Sequence, residues 1–391
     1  MDLPTLPANQ YLANMSRPDI LWIVTTQWRA GAFGRAGDPN ARTPCLDALV
    51  ANGTDYAQAV TPHPFGPFAR AALLTGVSSP ANGVRDYWDA LPADAYTVAH
   101  ALAARGYATA FFGKWGVGDR DQAAPLVGEA AAQVAVPVER RGGFDRWTGF
   151  EGGFLLNDPY IQGDGVGAVP VRSSGYQSDL VTGYAAEWWR ETPGVNPGRP
   201  RFAIVSLEAP HPPYDAPAPS VGRRLRPEEV VLEKNVPRGG EVEARARREL
   251  AGYYAHIAAT DAAIGQLIEV AGPETVVVFT SVHGDMHGAH GYFRKGWPHE
   301  ESIRVPLFVR GAPGGGRGGV SQVAVSLVDL CAMTLSWSEG VPWGGAPERA
   351  EISMPCVVAL PDQCDRIWRG WRSAKSKKVW TADGVEWVLD E

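Results

Sequence analysis

The chain has 391 residues, 45% hydrophobic and 20% charged, an ordinary globular balance that suits one large α/β domain or two smaller ones. A formal net charge of −7 gives no global basis for binding nucleic acid or an anionic membrane surface. No apolar segment approaches the ~18 residues of a membrane span, and residues 1–16 show no basic stretch followed by an apolar run, so no membrane association and a cytoplasmic location are expected.

Taken in order, residues 1–16 read as an extension. Asp19-Ile20-Leu21-Trp22-Ile23-Val24 reads as a buried first strand of a parallel sheet, with Thr25-Thr26-Gln27 at its ligand-binding end. Thr43 to Val50 reads as a helix with proline in its first turn, Thr54 to Val60 as a strand, and Arg70 to Leu74 as the start of another helix. A helix over Tyr96–Arg105 and a strand over Tyr107–Phe112 lead to Gly113-Lys114-Trp115-Gly116. Residues 119–175 are rich in glycine and weakly periodic, which predicts an irregular excursion with a short helix at most. A helix over Ser178–Glu191, a strand over Arg201–Leu207, a long helix over Glu241–Val270 and strands over Thr275–Thr280 and Val305–Arg310 complete an alternating pattern, with a further helix starting in Ser326–Leu330. Short strands between Trp368 and Leu389 end the chain. The expected organisation is an extension (1–16), an α/β domain (17–345) and a small C-terminal subdomain (346–391). Cys45, Cys331, Cys356 and Cys364 form no Cys-x-x-Cys pair and read as free thiols, with a Cys356–Cys364 link left open.

The stretch Arg70-Ala71-Ala72-Leu73-Leu74-Thr75-Gly76 resembles the signature of the type I sulfatase family, a branch of the alkaline phosphatase superfamily, which reads Cys-x-Pro-x-Arg-Ala-x-Leu-Leu-Thr-Gly. Gly113-Lys114-Trp115, Pro210-His211-Pro212-Pro213, His283-Gly284-Asp285 and Arg294-Lys295 follow in the family's order. The resemblance implies an alkaline-phosphatase-like α/β fold, a doubly wound and mostly parallel sheet with a small, shortened C-terminal antiparallel sheet. It also implies a nucleophile, an oxidised cysteine, where this chain has Gly66, or Phe65 if the match slips by one residue. The family's metal-ligand pairs fall on Thr25-Thr26-Gln27 and Val282-His283, which hold no carboxylate, so no metal and no other cofactor are expected there.

What the resemblance retains is Arg70, Lys114, His211, His283 and Lys295. Removing three carboxylates and a divalent cation leaves the pocket more positive by about one charge. Arg70, Lys114 and Lys295 would then face each other, and such a cluster either holds an anion or opens into water. Lys114, His211, His283 and Lys295 are candidates for vestigial or repurposed catalytic groups; Arg70, Thr26, Gln27 and Gly66 are candidates for ligand binding. Thr25 or Thr26 paired with His211 or His283 is a weaker nucleophile candidate, and His63 either faces the cleft or belongs to a turn. The segment from His283 to His290, with Asp285 and His287, has zinc-type ligands but reads first as a glycine-rich loop of partly exposed histidines. Trp22, Trp28, Trp88 and Trp115, among 14 tryptophans, line the pocket or, more simply, the core.

The expected function is that of a pseudo-sulfatase with a cationic pocket for a small sulfate, phosphate or carboxylate, or for a protein partner. The alternative is metal-independent elimination, group transfer or condensation on an anionic metabolite. A divergent sulfuric or phosphoric ester hydrolase ranks third.

Overall fold

The computed structural model describes residues 17–221, 224–345 and 347–389; the extension expected over 1–16 lies outside them. Ten strands form one sheet: β1 (Ile20–Thr25), β2 (Thr54–Tyr56), β3 (Ala108–Lys114), β4 (Arg146–Phe150), β5 (Tyr160–Gly163), β6 (Gly167–Arg172), β7 (Arg201–Ser206), β8 (Val276–Ser281), β9 (Leu307–Arg310) and β10 (Gly319–Ser321). Their order is β10-β2-β9-β8-β1-β7-β3-β4-β5-β6. The centre, β8-β1-β7-β3-β4, is parallel. β9 runs against β8 and β2, and β5 and β6 run antiparallel beyond β4.

The central strands are apolar on both faces because both faces are covered. In β1, Ile20, Trp22 and Val24 enter one core while Leu21 and Ile23 enter the other. β7 and β8 alternate in the same way, with Phe202, Ile204, Val276 and Val278 on the first side and Ala203, Val205, Val277 and Phe279 on the second. The first side is closed by helices α2 (Gly66–Thr75), α3 (Val98–Ala103) and α8 (Asp329–Ser338), and Thr334 of α8 accepts the Trp22 indole N–H at 3.1 Å. The second is closed by α1 (Pro44–Ala51), α5 (Gln177–Val195) and the long α6 (Glu241–Ala271). Among the described residues two short α-helices remain, α4 (Glu129–Ala132) and α7 (Glu300–Ile303).

Two sequence expectations need correction. Residues 119–175 are not merely irregular: they carry β4, β5 and β6 as well as α4. β6 is largely exposed, so its alternation carries no hydrophobic signal, and β4 and β5 are short and contain glycines. The second strand is also shorter than expected, ending at Tyr56, with Val60 making only isolated bridges to Arg304 and Ser326.

The small sheet, β11 (Ala350–Met354), β12 (Trp368–Arg372) and β13 (Lys377–Thr381), is antiparallel as expected. Ile352, Met354, Trp368 and Val379 join the first core, and the Trp368 indole N–H donates to the Gly296 carbonyl at 2.7 Å. This sheet therefore buttresses the turn that carries Lys295. All four cysteines are free thiols.

Close packing at Gly252 sets the position of the loop after β7. A Cβ there would lie 1.7 Å from the Tyr214 carbonyl oxygen, so α6 can approach this loop only through a glycine. Gly252→Ala is therefore expected to lower stability by about 1–3 kcal/mol in denaturant unfolding. Gly183→Ala, on the exposed side of α5 with nothing within 4 Å of the new methyl group, is expected to raise it by about 0.4–1 kcal/mol.

Candidate functional site

The C-terminal ends of β1, β7, β8 and β3 lie in register: Thr25 stands opposite Ser281, and Val24 and Gly113 both stand opposite Ser206. The loops that follow bring Thr26 and Gln27, Glu208 to Tyr214, and His283 to Asp285 to one edge, next to Lys114 at the end of β3. The N-terminus of α2 completes it. A cavity of about 470 Å³ opens there, lined among others by Gly66, Arg70, Lys114, His211, His283 and Lys295.

Gly66 is the first residue of α2, and a Cβ added to it would meet nothing within 4 Å. The preceding Phe65 is the N-cap; its ring is buried and packs edge-on against Tyr87. Arg70, one turn into the helix, is held from three sides. Its guanidinium donates to the Lys114 carbonyl at 3.1 Å, to the Ser206 hydroxyl and to Thr26 Oγ1 at 2.7 Å. Its Nε is buried with no partner.

Lys295 meets only neutral acceptors. Its ammonium donates to Gln27 Oε1 at 2.8 Å and to His211 Nε2 at 3.0 Å. Burial and the nearby Lys114 charge lower its pKa to about 7. The other end of the Gln27 amide donates to the Tyr214 hydroxyl at 3.1 Å and to Asp285. Tyr214 in turn donates to Asp285 at 2.6 Å. Gln27 holds φ at 67°, a left-handed conformation that non-glycine residues adopt mainly where the surroundings impose it. Gln27 does not line the cavity; it stands behind Lys295.

Lys114 corrects the expectation of three uncompensated cations. Its ammonium donates to Glu208 Oε1 at 2.7 Å, and Glu208 is fully buried. Arg120 and Glu151 form a second pair at 3.2 Å in the cavity wall. Arg70 and Lys295 are thus the cations that lack a direct carboxylate partner. Glu208, Glu151, Tyr214 and Phe154 escape sequence reading. Glu208 does stand three residues before His211, the spacing of a turn, and it lies 3.5 Å from His211 Nδ1. Phe154 stacks on His211 with ring centroids 4.5 Å apart and lies beneath Lys114 Nζ at 4.6 Å.

Both cavity histidines have fixed tautomers. His211 Nδ1–H donates to the Pro212 carbonyl and His283 Nδ1–H to the Gly284 carbonyl, each at 2.8 Å, leaving both Nε2 atoms as acceptors. Burial and the Lys295 charge push both well below the usual histidine range, so both are neutral. His211 Nε2 takes Lys295, whereas His283 Nε2 is buried without a partner.

Of the remaining sequence candidates, Thr26 lines the cavity. Thr25 Oγ1 donates to the Thr280 carbonyl at 3.1 Å and Thr26 Oγ1 to the Leu207 carbonyl at 3.0 Å, so neither hydroxyl proton faces a histidine base. His63 Nε2 accepts from the Ser79 amide at 2.9 Å and Nδ1 lies 3.1 Å from the Ser353 carbonyl: it fastens a turn and does not line the cavity. Trp22, Trp28 and Trp115 are core residues, and no tryptophan lines the cavity. The segment His283 to His290 is not a row of partly exposed histidines. His283, Asp285 and His287 are completely buried, and His290 turns away to a different cluster.

Comparison with known proteins gives the family and the fold. The sulfatase family model matches residues 18–341. The ulvan-active sulfatase of Formosa agariphila is 36% identical over 305 residues, 75% of this chain and 56% of that protein, so the chain spans little more than half of this relative. The arylsulfatase of Clostridium perfringens is 27% identical over 402 residues, 91% of this chain and 80% of its own length. Among solved structures, yidJ from Bacteroides fragilis superposes with a TM-score of 0.81 at 23% identity, covering 94% of this chain and 87% of that one. The phosphonate monoester hydrolase of Agrobacterium radiobacter superposes at 0.65 with 18% identity, covering 94% and 90%. The last two likenesses concern the fold. The chain belongs to the sulfatase family.

Proposed function

We propose that this chain is a non-hydrolytic member of its family whose cleft holds a small anion between Arg70 and Lys295. The observation that carries the reading is the environment of Lys295. Its ammonium takes up Gln27 Oε1, the one side-chain oxygen in the Thr25-Thr26-Gln27 segment that is neither a donor to a backbone carbonyl nor an acceptor for Arg70. A hard divalent cation needs several charged oxygen ligands, and Val282 and His283 add none. The residues present do not fit such an ion. At the helix start, Gly66 offers open space and no attacking atom.

The pocket matches an anion in its donors. Arg70 Nε is orphaned and buried, and Lys295 has no carboxylate partner, so charge-assisted hydrogen bonds to a ligand would satisfy both. An outer wall that includes Leu126, Val127, Val134 and Phe154 suits an organic body attached to that anion. A second reading, metal-independent acid–base chemistry on an anionic metabolite, draws on the Lys295–His211 contact at 3.0 Å, which couples an amine of pKa about 7 to a neutral imidazole.

Charge on Lys295 gives this proposal a pH signature. Sulfate is expected to raise the melting temperature below pH 7, and the shift should shrink as the pH rises through about 7, where the free amine loses its proton. Without an anion the trend reverses. Between about 7 and the ordinary 10.5 the unfolded lysine binds more protons than the folded one, so the ligand-free chain gains stability as pH rises. Lys295→Met should abolish the sulfate shift and flatten its share of that rise. A sulfate shift that is unchanged in Lys295→Met contradicts the assignment.

Gly66→Leu tests the location. Its side chain would enter the open space at the start of α2, so anion stabilisation is expected to vanish while the melting temperature of the ligand-free protein holds or rises. His283 Nε2 adds selectivity, since a bare acceptor favours an anion that still carries a hydroxyl. Hydrogen phosphate is therefore expected to stabilise more than sulfate at equal concentration near neutral pH, and equal shifts would remove His283 from the site.

A further inference from the structure

Beyond the cavity, three acceptor-bearing side chains converge where the loop after β8 meets the start of α7. One ligand atom from each of His290, His299 and Glu301 lies within 4.8 Å of the others. His290 Nε2 and Glu301 Oε1 are 3.7 Å apart, with the two side chains 16% and 12% exposed. The His290 and His299 rings stack with centroids 4.4 Å apart at 25°. None of the three lines the anion cavity.

The group at their centre is the amide of Asn235, from the segment leading into α6. Its Nδ2 donates to Glu301 Oε1 at 2.6 Å and lies 3.0 Å from His290 Nε2, while its own Oδ1 is buried with no partner. An amide N–H₂ wedged between a carboxylate and an imidazole nitrogen does what a cation would do there, and it leaves a carbonyl oxygen unsatisfied. Turning the amide over would present that oxygen to the same centre. The backbone is fixed for the purpose: the His290 amide donates to the Asn235 carbonyl at 2.9 Å, and His290 holds φ at 54°, a strained left-handed conformation for a residue with a side chain.

We propose that His290, His299, Glu301 and Asn235 form a zinc site of structural type. Two imidazoles, a carboxylate and an amide oxygen are a nitrogen and oxygen set that zinc accepts in tetrahedral geometry. Bonds of ~2.0–2.1 Å in a tetrahedron place ligand atoms about 3.3 Å apart, so the His290–Glu301 spacing of 3.7 Å needs to close by only a few tenths of an ångström. The ion would tie three separate segments together: the approach to α6, the turn Ala289–Gly291 and the start of α7. It would brace the Phe293–Trp297 turn that presents Lys295.

The experiment uses tag-free full-length protein stripped with a chelator and dialysed. Zinc chloride is titrated with the melting temperature as readout, and cobalt(II) replaces zinc for a visible spectrum. One zinc per chain, a higher melting temperature and the intense d–d bands of tetrahedral cobalt are expected. Changes around a metal site commonly cost about 10–100-fold in affinity, so loss of a ligand in His290→Ala or Glu301→Gln should weaken binding by at least that factor. Asn235→Asp replaces the amide by a carboxylate and should bind more tightly, which keeps the test open if His290→Ala does not fold. Failure of the wild-type chain to take up zinc, or wild-type affinity in Glu301→Gln, overturns the site.

Discussion

A buried ammonium must be met by acceptors, and the way Lys295 is met organises the whole sheet edge. A carboxylate partner would neutralise it and leave the cleft without a net charge to offer. Neutral partners leave the charge uncompensated, at the cost of a depressed pKa. The structure takes the second course with an amide and an imidazole. Each of these is oriented in turn by a further contact, Asp285 and Tyr214 behind Gln27 and the Pro212 carbonyl behind His211. Around Lys295, the Gln27 amide and the His211 ring each hold one orientation that satisfies their neighbours.

Lys114 shows the opposite solution a few ångströms away. Its charge is cancelled by Glu208, and burial leaves its pKa at about 8. Glu208 Oε2 is itself buried and unpartnered, so this carboxylate is a second point at which a ligand hydroxyl or a water would be welcome. The cleft is therefore not a uniformly positive well. It carries a positive end at Arg70 and Lys295 and a neutral pair at Lys114 and Glu208, which suits an oriented ligand better than a loose cloud of counter-ions.

Much of the fold was legible because burial leaves a strong pattern. Ile20–Thr25, Arg201–Ser206 and Val276–Ser281 are apolar at nearly every position since both faces are covered, and each is followed by a residue that reaches the site. β4 to β6 were illegible for the converse reason: they are short, glycine-bearing or exposed, and their pairing is set by neighbours rather than by their own periodicity. In the site, Arg70, Lys114, His211, His283 and Lys295 were legible through their resemblance to the family's motifs, and all line one cavity. Their charge states were not. Burial sets those states first, and Glu208 and Glu151 act on the cations from segments far apart in sequence, where a lone Glu in a loop carries no signal of what it will face.

Gln27 links the two charged groups of this edge. Its amide is two-sided: the oxygen faces the Lys295 ammonium and the nitrogen faces Asp285 and Tyr214. A carboxylate at this position would serve the lysine, but its second oxygen would stand against Asp285, which is completely buried and already accepts the Tyr214 hydroxyl and the His287 amide. Two carboxylates in that contact repel unless a proton or a cation intervenes. The amide joins a buried positive group to a buried negative one without adding charge. Asp285, Gln27 and Lys295 thus form one continuous electrostatic chain. A carboxylate in place of the Gln27 amide would break that chain.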